Sequence, residues 1–268
     1  VNAPSHPSTP SSWKRRGRPT LLDSFGELRA PLEATILWMH AFTYPWPHAE
    51  PGKGKLLMFI PGFMAGDITL APMATFFRTI GHRPVMSGIW SNSECPREVI
   101  AGLENRIRQV TDRRGAPAVI IGHSLGGIYA RELGHRHPDR IERVITMGSP
   151  LGPVRGAANL LVQAVARSVA MMRGKAEGCL SESCSCGLSI SNRVPDNVPT
   201  TVIYSRTDGV VDWQSCIDRS GSPMVENVEV MSSHVGMAVS AEVYKVIALR
   251  LVQPASSPAR SEAAASAR

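Results

Sequence analysis

No run of apolar residues in this chain approaches the ~18–20 that a membrane-spanning helix requires, although 43% of its 268 residues are hydrophobic. No integral span is therefore expected. Aromatic residues are few, at 6%, and they do not interleave with basic clusters, so nucleic acid is not expected as a partner. A glycine-rich phosphate loop is missing, and no His, Cys, Asp or Glu cluster has the spacing of metal ligands; neither cofactor nor metal is implied. There is no internal repeat. Residues 1–20 are rich in Pro and Ser and end basic, with no apolar core behind them, so no export leader is read there. Together these absences favour a cytoplasmic location.

Acidic residues are also in deficit: 22 Asp and Glu face 29 Lys and Arg, a formal net charge of +7. The excess lies in Lys14-Arg15-Arg16-Gly17-Arg18 and in arginines such as Arg106, Arg108, Arg113 and Arg114. Such a balance is met by a solvated surface, or by weak attraction to an anionic membrane surface. Of the five cysteines, Cys179, Cys184 and Cys186 crowd into one segment, apart from Cys95 and Cys216. Their C-x4-C-x-C spacing is not that of a structural zinc site. A disulfide in or near this segment, with Cys216 as one candidate partner, is the leading reading, with free thiols and then a bound metal as the alternatives; a disulfide would favour an exported form.

What is present is an alternation of buried-type strands and amphipathic helices. Strands are expected at Lys55–Ile60, Val85–Trp90, Ala118–Ile121, Arg143–Met147, Thr200–Tyr204 and Val228–Met231. Helices are expected over Ala30–Phe42, Thr69–Ile80, Pro96–Thr111, Leu125–His135 and Gly236–Leu251, with Pro31 and Pro96 suited to first turns. This pattern implies a mainly parallel sheet of about six strands flanked by helices. One domain over 21–252 is expected, between a disordered basic segment at 1–20 and a disordered tail at 253–268. The alternation fails at about 150–199, which reads as a cap insertion. Leu160, Leu161, Ala164, Val165, Val169 and Met172 form an amphipathic stripe there, fit for a lid helix or a core helix.

One motif carries chemistry. Gly122-His123-Ser124-Leu125-Gly126 follows an apolar strand and precedes a helix. G-x-S-x-G in that context is a nucleophile elbow, in which a sharp turn holds a serine in a strained conformation. Two further segments follow apolar runs: Ser-Arg-Thr-Asp208-Gly and Ser232-Ser233-His234-Val-Gly. A serine needs a base to take its proton, and a histidine in turn needs a carboxylate to orient it.

On these motifs the chain resembles the α/β-hydrolase superfamily, and within it the bacterial lipase/esterase-like branch, over roughly residues 55–250. The Pro-Gly-Phe-Met-Ala-Gly-Asp loop from Pro61 and the Gly-x-Ser-Leu-Gly-Gly elbow carry the narrower likeness. The resemblance implies Ser124 as nucleophile, His234 as base and Asp208 as acid, with Asp212 the rival acid. It implies oxyanion donors at the Phe63 and Leu125 amides, and an acyl pocket lined by Met64, Trp90, His123, Leu160 and Met172. Asp67 reads as the cap of its helix. His135 and His137 read as charges at a helix C-terminus. The expected activity is hydrolysis of hydrophobic carboxylic esters. An acyltransferase or thioesterase could use the same residues, and a non-catalytic binding relative is the remaining reading.

Overall fold

Strand β1 (Leu56–Ile60) is buried along its whole length, as a strand covered on both faces must be. The computed structural model describes residues 30–35, 45–50, 53–151, 194–195 and 197–253. After β1 come a 3-10 turn (Asp67–Leu70), α1 (Ala71–Thr79), β2 (Arg83–Met86), α2 (Pro96–Arg114), β3 (Ala118–His123), α3 (Leu125–Arg136) and β4 (Ile141–Met147). The second half holds β5 (Thr200–Tyr204), the short α4 (Trp213–Cys216), β6 (Val225–Glu229), a 3-10 turn (Val235–Val239) and α5 (Ala241–Leu251). The strands form one sheet in the order β2-β1-β3-β4-β5-β6. Every neighbouring pair is parallel.

Two-residue alternation divides the sheet into two cores. Leu57 and Phe59 of β1 and Val119 and Ile121 of β3 pack with Met73 and Phe77 of α1 and with Tyr244 and Ile247 of α5. Their neighbours Leu56, Met58, Ile60, Ala118 and Ile120 face the other way, onto Leu103 and Ile107 of α2 and Tyr129 and Leu133 of α3. Pro96 opens α2, and Gly115, with φ +61, closes it in the left-handed conformation that favours glycine.

Several expected boundaries move. The second strand is Arg83–Met86, not Val85–Trp90. The chain turns off at Ser87 because the Asp67 carboxylate accepts from Ser87 Oγ (2.5 Å) and from the Gly88 N–H (2.7 Å). Asp67 is thus a loop anchor and not the helix cap expected of it; Gly66 holds the cap position. The last strand ends at Glu229 rather than Met231, since Glu242 of α5 takes the Met231 N–H at 2.8 Å. The final helix starts at Ala241, where the Ser240 side chain accepts from the Val243 N–H, with a separate 3-10 turn before it. Of the expected Ala30–Phe42 helix, residues 30–35 are described and helical. The terminal segments, most of the cap insertion expected at about 150–199, and Cys179, Cys184 and Cys186 lie outside the described residues. Cys95 and Cys216 are free thiols, so the pairing offered for Cys216 does not form. Its thiol points instead toward the Asp212 carbonyl. No described helix is long and apolar enough to cross a membrane.

Candidate active site

Between β3 and α3 the chain turns on one residue, Ser124, whose φ of 53° and ψ of −122° are unusual for a side-chain-bearing residue. Strain of this kind persists only where the surroundings enforce it. Here they do. The Ser124 N–H donates to Met147 O of β4 at 2.8 Å. A Cβ on Gly122 would lie 2.3 Å from Gly126 O, and one on Gly126 would lie 2.2 Å from Ile60 O. Only glycine allows backbones so close, so strand, turn and helix are locked together around the serine.

The loop after β1 runs directly over this turn: a Cβ on Gly62 would stand 3.1 Å from Ser124 Cβ. Asn92, fully buried, pins the loop. Its Nδ2 donates to Pro61 O (2.8 Å), its N–H donates to Ala65 O (2.9 Å), and its carbonyl accepts from the Met64 N–H (2.9 Å). Between these anchors the Phe63 N–H donates to none of the described residues, and neither does the Leu125 N–H at the start of α3.

Asp208 and His234 meet beyond the ends of β5 and β6. Asp208 Oδ2 lies 2.6 Å from His234 Nδ1, with both side chains buried. Its other oxygen accepts from the Val210 and Val211 amides at 2.9 and 2.8 Å, which fixes the carboxylate. A carboxylate accepts, so Nδ1 carries the hydrogen and Nε2 of the neutral ring keeps its lone pair. His123, the residue before the serine, ties the two regions together. Its Nε2 lies 2.9 Å from His234 O, and the two rings stand 4.8 Å apart. Burial first, and then the neighbouring His234, lower the His123 pKa to about 3. The ring is therefore neutral, and Nε2 must be the donor to that carbonyl.

A family model described as the alpha/beta hydrolase fold matches residues 93–185. This chain has the α/β-hydrolase fold. Among solved structures, a Bacillus licheniformis lipase is 15% identical, with 77% of this chain and 95% of that one covered and a TM-score of 0.55. A soluble variant of monoglyceride lipase from Saccharomyces cerevisiae is 14% identical, covering 77% and 89%, at 0.56. The mouse alpha/beta hydrolase domain-containing protein 10 is 21% identical, covering 74% and 89%, at 0.50. At these identities the likeness is one of fold. No curated protein matches the sequence.

In this hydrolase fold Asp208 and His234 are in contact, and His123 links their loops to the Ser124 turn. Asp212, the rival acid, instead caps α4 by accepting from the Gln214 N–H at 3.0 Å. Phe63 is half-buried and Met64 exposed, with Met64 at φ +57°. Trp90 is 94% exposed. It lines a groove of about 730 Å³ with Ile89, Glu98, Leu103 and Arg106, a lining that includes none of Ser124, Asp208 and His234. Leu160 and Met172 lie outside the described residues. Sequence reasoning missed Asn92, Gly148 and Glu33. A Cβ on Gly148 would sit 3.0 Å from His234 Nδ1 and 3.1 Å from Asp208 Oδ2, so this glycine forms the floor beneath the pair. Its only signal was a glycine directly after a strand.

Proposed function

We propose that the chain is a serine hydrolase that cleaves carboxylic esters of hydrophobic acids through an acyl-enzyme on Ser124. The observation that carries this reading is the 2.6 Å Asp208–His234 contact, bridged by His123 to a serine held at positive φ. His234 Nε2 takes the Ser124 proton as Oγ bonds to the ester carbonyl carbon. The carbonyl oxygen becomes an anion facing the Phe63 and Leu125 amides; one such donor is worth about 3–4 kcal/mol. His234 returns the proton to the leaving alcohol as the C–O bond breaks. Water then repeats the sequence on the acyl-serine and releases the acid. Asp208 holds the imidazole tautomer and stabilises its charged form. The lipase and monoglyceride lipase named above share the fold and are consistent with this chemistry.

A p-nitrophenyl ester panel, with fluorophosphonate labelling, tests the reading. Ser124→Ala and His234→Ala are expected to lower kcat by on the order of 10⁴–10⁶-fold. Asp208→Asn should lower it by about 10⁴-fold. Ser124→Ala should also abolish labelling. Near-normal turnover in a folded Ser124→Ala or His234→Ala protein would end this assignment.

A further inference from the structure

The loop that presents His234 is gripped from a distant part of the chain. Glu33, in the helical stretch 30–35, accepts from Ser232 Oγ at 2.5 Å through one carboxylate oxygen and from the Ser233 N–H at 2.8 Å through the other. Both serines are buried. Ser232 Oγ also lies 3.1 Å from Ser233 O, but the Ser233 N–H has Glu33 as its acceptor; a buried amide left without one costs about 1–3 kcal/mol, and a charged acceptor makes the stronger bond.

The loop is shaped to receive this carboxylate. A Cβ on Gly236 would lie 1.9 Å from Glu33 Oε2 and 2.5 Å from Ser233 Oγ. The Gly236 N–H donates to Ser233 Oγ at 3.1 Å. Residues on both sides of His234 therefore close on Glu33. From the β5 side, Ser205 Oγ accepts from the Ser232 N–H (3.2 Å), and Thr207 Oγ1 donates to Ser232 O (3.0 Å). Those bonds fix Ser232. The Ser233 amide, one residue from the histidine, is held by Glu33.

Taking His234 as the general base of the reading above, we propose that Glu33 is a positioning residue, which sets the approach of the imidazole to Ser124 by clamping Ser232 and Ser233. Stretch 30–35 is then part of the catalytic apparatus and not an appendage to the sheet. A base displaced by about 1 Å can cost on the order of 10²-fold in rate. The loss falls on kcat, because the carboxylate holds the base and not the substrate.

Steady-state hydrolysis of p-nitrophenyl butyrate by the full chain tests this. Glu33→Ala should lower kcat by roughly 10–100-fold with KM within about twofold. Glu33→Gln should stay within about threefold of the unsubstituted chain, since an amide can accept from the Ser233 N–H and donate to Ser232 Oγ. Gly236→Ala, which puts a methyl where the carboxylate sits, should lower kcat alone yet add little to Glu33→Ala, the non-additivity of one shared contact. An unchanged kcat in Glu33→Ala, or strict additivity with Gly236→Ala, overturns the clamp. Should Glu33→Ala not fold, Gly236→Ala decides: a lowered kcat at constant KM supports the proposal and a native kcat overturns it. Ser124→Ala run in parallel separates the two failures. Lost turnover there beside a native Glu33→Ala sinks the clamp alone, whereas retained turnover in Ser124→Ala sinks the site assignment on which it rests.

Discussion

Ser124 and Gly148 both have a positive φ, for opposite reasons. Ser124, at φ 53°, bears strain at the turn between β3 and α3. Gly148, at φ +56°, avoids strain where the chain must pass beneath the Asp208–His234 pair. Gly148→Ala therefore faces two penalties. The left-handed backbone costs about 1–2 kcal/mol for a residue with a Cβ, and the new methyl lies 3.0–3.2 Å from the imidazole. We expect a stability loss of that order in urea unfolding, together with a fall in kcat; an unchanged enzyme would refute the floor role. At this scale the sequence was legible where the signal is local. G-x-S-x-G states its own geometry, and Asp208 and His234 each follow an apolar run. Asn92, Gly148 and Glu33 carry no such local signal. Glu33 meets Ser233 across 200 residues, and nothing near Glu33 in the chain announces it.

Among the elements, those buried on both faces were readable and those at the sheet edges less so. β1 and β5 fall on their expected apolar runs because both faces are covered. β2 begins Arg83-Pro84 and β6 runs Val225-Glu-Asn-Val-Glu. Their pairing is set by neighbours, and contacts such as Arg250 of α5 on Glu226, at 2.5 and 2.9 Å, do not show as periodicity. The helix that carries the serine is tied down in the same long-range way. Arg131 of α3 meets Asp218, beyond α4, at 2.7 Å with both side chains almost wholly buried. Removing Asp218 takes a buried carboxylate partner from the Arg131 guanidinium, and breaking a buried pair costs about 3–5 kcal/mol. Asp218→Ala should lose stability by that amount in chemical denaturation. A change below about 1 kcal/mol, the range of exposed pairs, would show that water reaches the site.

At the scale of the whole molecule, two buried histidines contribute to the response to acid. Burial lowers the His123 pKa to about 3, and burial with the nearby Lys55 lowers that of His82 to about 4. Both values lie below the ordinary histidine value of 6.5. Under that pH the unfolded chain takes up protons that the native state refuses. Stability is therefore full above about pH 6.5 and declines as pH falls, by up to about 1.4 kcal/mol per pH unit for each histidine. The His82 share levels off near pH 4 and the His123 share near pH 3. Urea unfolding should give a lower free energy at pH 5 than at pH 7, and His82→Gln should flatten that slope. Equal stability at the two pH values would contradict it.

Strands β4 and β5 lie side by side, from Val144 opposite Thr200 to Met147 opposite Ile203, although residues 152–193 intervene in the sequence. The departure point is fastened as well, since the Leu151 N–H donates to Ser215 O at 2.8 Å. Doubling the length of a connecting segment adds only about 0.6 kcal/mol to the cost of closing it. The junction between these two strands can therefore carry connections of very different length at little cost to the ladder that joins them.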